Sequence, residues 1–197
     1  MLVVFTTQIT LQKWSYSMPN WCYNTLEFRL LNVDIYDLLK DSLDNEVLFE
    51  FLCPLDLGYH EDGKPKWDHD VAINKWGTKW DVSSLHCTWD DVEKTFSLNF
   101  DTAWGPPTTF YMSLMDNDDV DFVRATYIEG GMEFLGQYTN DCGTLVNDQY
   151  DFDDVIPEEL GIEVGLDDYS DEPVFERNQY DGSFVRIDRT KSEGENS

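Results

Sequence analysis

A chain of 197 residues with 40 Asp and Glu against 13 Lys and Arg carries a formal net charge of −27 at pH 7. That balance repels phosphate backbones and anionic lipid, and argues against direct nucleic-acid or membrane-surface binding. Aromatic residues make up 15% of the chain, too many for a sequence that stays unfolded, and the length suffices for one well-buried core or a core plus a tail.

Residues 1–17 offer Val3, Val4 and Phe5 as a scrap of edge strand, but no turn ties them to the next segment. They read as a poorly ordered extension, with Met18-Pro19-Asn20-Trp21-Cys22-Tyr23-Asn24 as the natural beginning. From Thr25 the pattern alternates: Leu26, Phe28 and Leu30 point one way, Thr25, Glu27 and Arg29 the other, which is a half-buried strand. Asn32 is placed to cap a helix over 33–43, with Ile35, Leu38, Leu39 and Leu43 along one side. Asp34 and Asp37 lie near its positive end. The segment 47–52 predicts a short apolar strand that stops before Pro54. A charged loop over 58–66 precedes a helix over 67–76 with Val71, Ala72 and Trp76 on one side.

Alternation returns over 94–101, with Phe96, Leu98 and Phe100 facing inward. Pro106 and Pro107 suit the first turn of a helix running to about Met115 and packing Phe110, Leu114 and Met115. Asp116-Asn117-Asp118-Asp119 ends it, and strands over 122–128 and 132–138 flank Gly130-Gly131 as a hairpin. The order strand, helix, strand, insertion, strand, helix, strand predicts an α+β fold of the ferredoxin-like, split βαβ kind: an antiparallel sheet with two helices on one face. The domain would span 18–147, with an insertion over about 54–92. Between Asp148 and Glu176 come twelve acids and no Lys or Arg, so residues 148–190 read as an acidic extension. It closes on a hairpin over 174–179 and 184–188 around Asp181-Gly182. Residues 191–197 read as a disordered tail.

Candidate chemistry gathers in two places. Trp76, Lys79, Trp80, Asp81, Asp101, Trp104 and Glu129 could converge on one Trp-lined cleft. There Lys79 and Asp81 would be either a general acid/base pair or, as the favoured reading, a structural ion pair. The indoles would stack a ligand or, more often for such rings, anchor the core, with Trp104 plugging its end. The second place is the acidic surface of Asp148, Asp151, Asp153, Asp154, Glu158, Glu159, Asp167 and Asp168. Apolar and aromatic residues among these acids distinguish it from a purely solvating tail. His86-Cys87 would face opposite sides of a strand and so form no nucleophile pair. The acids at 116–121 lack the Gly and Glu of a calcium loop. Cys22, Cys53, Cys87 and Cys142 are scattered, and with three histidines make no zinc spacing, so reduced thiols and no metal or cofactor are expected. No apolar run reaches the ~18 residues of a bilayer span.

Three segments together resemble the YubB-like proteins of phages and plasmids: residues 18–24, Trp76-Gly77-Thr78-Lys79-Trp80-Asp81, and Thr102-Ala103-Trp104-Gly105-Pro106-Pro107 followed by Tyr127-Ile128-Glu129-Gly130 and Phe134-Leu135-Gly136. Gly105 stands where that pattern has Ser. The resemblance covers roughly 18–140 and implies a ferredoxin-like domain, a mobile-element origin and a setting in the host cytoplasm. It carries over no catalytic residues. The expectation is a non-catalytic, monomeric accessory protein that binds a host protein, a basic one, through an acidic surface imitating nucleic acid. The alternatives are a small enzyme or ligand-binding protein built on Lys79, Asp81, Asp101 and Glu129, and a charge that reflects only adaptation to high salt.

Overall fold

The computed structural model describes residues 20–141, 144–167 and 175–187. The expected N-terminal extension, the tail over 191–197 and Asp168 lie outside the described residues. Strand β1 (Trp21–Leu30) alternates as its sequence requires, with Cys22, Asn24, Leu26, Phe28 and Leu30 buried. Asn32 caps α1 (Val33–Leu43) by accepting a hydrogen bond from the backbone N–H of Asp34 at 3.0 Å. The buried stripe of α1 is Tyr36, Leu39 and Leu43. Leu38 is exposed instead, because Tyr36 fills the place inside the stripe. Its phenol hydroxyl reaches the Asp90 carbonyl at 3.0 Å and Asp91 at 3.1 Å, which satisfies the polar end.

The expected strand over 47–52 is a helical turn, α2 (Phe49–Leu52). The Asp81 carboxylate accepts from the backbone N–H groups of Leu48, Phe49 and Glu50 at 2.9–3.2 Å. A distant acid thus satisfies the donors that a helix N-terminus leaves open, and the segment coils rather than extends. The place beside the sheet goes to β2 (Ser83–Asp90), after α3 (His69–Trp76), so the edge strand comes from within the expected insertion. Then come β3 (Thr95–Ala103), α4 (Thr108–Met115), β4 (Val120–Glu129), β5 (Phe134–Asp141), β6 (Thr144–Asp151), α5 (Glu158–Glu163) and the short pair β7 (Phe175–Arg177) and β8 (Phe184–Arg186). Pro107 is the N-cap of α4, one residue outside the turn expected to contain it.

The main sheet is larger than expected: six antiparallel strands in the order β2-β3-β1-β4-β5-β6. Tyr36, Leu39 and Leu43 of α1 and Phe110, Tyr111 and Leu114 of α4 join one buried cluster with Leu26, Phe28, Phe96, Leu98 and Phe100. Both helices therefore cover the same face of the sheet. A second cluster forms on the opposite face, where Ile128 and Leu135 meet Phe152, Ile156, Leu160, Leu166, Phe175 and Phe184. The described part of the acidic stretch is thus a folded lobe over β4 and β5. It is tied by reciprocal backbone bonds between Ile156 and Phe184 at 2.9 and 2.8 Å. The boundary at 147/148 falls inside β6, which pairs along β5 from Asp141↔Thr144 to Phe134↔Asp151. Among the described residues no helix is long and apolar enough to cross a membrane.

Candidate functional site

The residues expected to share one cleft have separate duties. Trp76 is a core residue, 2% exposed, donating from its indole to the Cys53 carbonyl at 2.7 Å and packing on Phe49. Gly77 ends α3 with φ 81°, and a Cβ there would lie 2.9 Å from the Thr108 nitrogen, so this turn needs glycine. Thr78 then donates to the Ala103 carbonyl at 3.3 Å, which seats the loop against the end of β3. Lys79 and Asp81 are not joined to each other. The Lys79 ammonium sits over the Trp80 ring at 4.3 Å, and its carbonyl accepts from the Trp67 indole at 2.9 Å. Asp81 holds the start of α2 and the Val82 N–H at 2.8 Å. Burial pushes its carboxyl pKa up, while those N–H donors pull it back.

Trp104 does not plug the core. It is 48% exposed, with φ 74°, and donates its backbone N–H to Asn20 at 2.9 Å. Trp80 is likewise exposed. Glu129 is buried under the β4–β5 turn, where it accepts from the N–H groups of Gly131, at 3.1 Å, and Met132. On β1, Cys22 pairs with Glu129 and its neighbour Tyr23 pairs with Asp101. Adjacent strand residues face opposite sides, so Glu129 and Asp101 lie on opposite faces of the sheet. The seven residues do not form one site.

What the sheet does build around Asp101 is a cleft of about 320 Å³ on the face away from α1 and α4. Its floor is the outward side of three neighbouring strands: Tyr23 and Thr25 of β1, Asn99 and Asp101 of β3, and Thr126 of β4. Its wall is the C-terminal end of α5, Glu163 to Gly165. The Arg124–Glu163 ion pair fastens that wall to β4. Within the floor the Thr25 hydroxyl donates to the Asn99 side-chain carbonyl at 3.0 Å. Partial burial raises the Asp101 pKa, and a hydrogen bond from Ser84 opposes that rise. The polar alternation of β1 and β3 signals this floor in the sequence. Nothing in the sequence signals that α5 folds back to wall it.

The acidic set divides in the same way. Glu158 pairs with Arg177, and Asp153 pairs with Arg186 at 3.2 Å. Asp154 accepts from the Asp151 N–H at 2.9 Å. Asp148, Asp151, Glu159 and Asp167 stand exposed, and none of the four makes an ion pair with a described residue. Glu133, Glu163 and the three arginines that tie the lobe down were not singled out by the sequence, because each acts through a partner distant in the chain. Among the described residues no group of three or more His, Cys, Asp or Glu is arranged to hold a metal ion. Comparison of the chain with protein-family models, with curated proteins and with solved structures gives no match.

Proposed function

We propose that this is a non-catalytic binding protein that takes hold of a basic protein through an acidic surface resembling the phosphate row of a nucleic acid. The observation that carries the reading is the ordered seat of the carboxylates. A solvated tail would hold its charges at no fixed spacing. Here Asp148, Asp151, Glu159 and Asp167 are exposed on β6, α5 and the turn after it, over an apolar cluster of their own. Fixed charges of one sign steer a basic partner and define its register.

The order β2-β3-β1-β4, with α1 and α4 on one face, agrees with a ferredoxin-like split βαβ unit to which β5, β6 and the acidic lobe are additions. The resemblance of the three segments to the YubB-like proteins supports a phage or plasmid origin and a setting in the host cytoplasm, the net charge favours a monomer, and the partner on this reading is a host protein. A second reading, a ligand-binding protein, draws on the exposed indoles of Trp80 and Trp104 and the Lys79 ammonium over Trp80. Exposed indoles of this kind anchor many interfaces.

Fluorescence titration with a small basic duplex-binding protein tests the first reading. Duplex DNA should displace the complex. The variant D148N/D151N/E159Q/D167N, which leaves every lobe ion pair intact, should bind at least about tenfold more weakly. Unchanged affinity in that variant would remove the acidic surface from the function and leave the charge as adaptation to salt.

A further inference from the structure

We infer that the cleft between the open sheet face and the end of α5 is a binding site for a guanidinium group, that of an arginine side chain. The inference rests on the proposed function only for the source of that arginine, the basic partner.

The cleft has one carboxylate that no ion pair among the described residues neutralises, and no Lys or Arg in its lining. Asp101 lies in its floor and Glu163 in its wall. Arg124, outside the lining, neutralises Glu163, so the unpaired charge of the cleft is that of Asp101. An anion would meet the Asp101 carboxylate with no Lys or Arg in the lining to offset it. A bare metal ion would find one uncommitted carboxylate, too few for a site of its own. The lining combines the hydroxyl, amide and carboxylate groups of the floor with the Tyr23 ring, Ile128 and Val164, which suits a cation carried on an apolar stem.

A guanidinium answers these features together. Its planar fork of N–H donors suits the Asp101 carboxylate and the oxygens of Thr25 and Thr126 beside it. The Tyr23 ring, 58% exposed at the mouth, offers a face for the flat cation and its stem. The cleft volume of about 320 Å³ lies at the lower end for small-molecule sites and exceeds what one such side chain needs. Position favours the same source: the wall residues Glu163 to Gly165 sit between Glu159 and Asp167, so a partner drawn to the acidic lobe arrives beside the cleft.

Titration of the full-length chain with N-acetyl-arginine amide, followed by amide chemical shifts in NMR, tests the site. Saturable shifts are expected at residues 23–25, 99–101 and 126–128. N-acetyl-citrulline amide, the neutral isostere, should bind at least about tenfold more weakly, as should Asp101→Asn toward the arginine probe. Tyr23→Ala, at an exposed position that leaves the fold intact, should weaken the arginine probe several-fold. Equal binding of the citrulline probe, undiminished affinity in folded Asp101→Asn, or shifts confined to the exposed acids outside the cleft would each overturn the inference. If the arginine probe binds in the cleft while a basic duplex-binding protein does not bind the chain, the site stands and the partner reading falls. If that protein binds wild type and Asp101→Asn alike and the probe binds neither, the site falls and the partner reading stands.

Discussion

Trp76 and Trp104 carry the same side chain and opposite structural duties. Emptying the Trp76 site to Ala should cost about 3–5 kcal/mol, the usual price of a buried large aromatic. Trp104 is half exposed and sits at φ 74°, a region that costs a non-glycine residue roughly 1–2 kcal/mol. Trp104→Ala should therefore lose no more than about 1 kcal/mol, and Trp104→Gly should match or exceed wild type. Urea unfolding of the three variants decides; a loss for Trp104→Ala as large as that for Trp76→Ala would return the second indole to the core. Composition and spacing could not separate the two rings. What separates them is a backbone turn held by Asn20, which is a tertiary fact. Reactivity follows the same logic at Cys22, which is fully buried beside Glu129. Burial, with that carboxylate adding, holds its thiol well above the ordinary range. Iodoacetamide should label half-buried Cys53 in the native protein and leave Cys22 untouched until denaturant is added, as peptide mass mapping would show.

Among the elements, those whose apolar face is written into one segment were legible: β1, α1, β3, α4 and β4 each show their periodicity locally. The helical turn α2 was not, because its cap comes from Asp81, about thirty residues downstream. Edge strand β6 escaped notice, and β2 showed only in the strand placement of His86-Cys87, since the side chains of both are mostly exposed and alternate weakly. The lobe was half legible, its closing hairpin visible around Asp181-Gly182 but its packing on Ile128 and Leu135 invisible. Gly161 lies inside α5, where Ala ordinarily favours a helix, but a Cβ there would stand 2.2 Å from the Phe184 ring. Gly161→Ala should therefore destabilise by roughly 1–3 kcal/mol, by overpacking a buried ring, and hydrogen exchange should show the loss in β8 and α5 first. A gain in stability would mean that the lobe packs more loosely than this contact requires. The Arg186–Glu133 pair ties β8 to the β4–β5 turn at 2.7 Å. Arg186 holds the Glu133 carboxyl below its ordinary 4.5. A carboxylate with a depressed folded pKa contributes stability above its unfolded value, and that contribution fades as pH falls through the folded value. Arg186→Gln should thus melt below wild type at neutral pH, and the gap should close as the solution is taken below the ordinary value of 4.5. A gap that persisted in acid would show that the guanidinium acts by packing alone.

On the scale of the whole molecule, a charge of −27 acts on folding and on binding in opposite directions. Acid-rich β6 forms one edge of the main sheet and acid-rich α5 packs over its face, and among the described residues only three arginines, 124, 177 and 186, bridge to the acids of the lobe and of the β4–β5 turn beneath it. Self-repulsion among the remaining carboxylates destabilises the compact state. Salt relieves it, since the Debye length shrinks from ~10 Å at 0.1 M to ~3 Å at 1 M. The melting temperature of the free protein should therefore rise between these two salt concentrations. The same screening weakens the long-range attraction that steers a basic partner, so the association rate with a basic duplex-binding protein should fall over that range, and more steeply than the dissociation rate changes. The pair of slopes separates the two explanations of the charge. A protein adapted only to salt would gain stability with no partner whose association slows. A binding surface requires both slopes, measured by thermal melting and stopped-flow on one preparation, and D148N/D151N/E159Q/D167N should flatten both at once. If the variant flattened the melting slope and left the association slope unchanged, the exposed acids of the lobe would matter to folding alone, and the partner would have to be sought at the exposed indoles of Trp80 and Trp104.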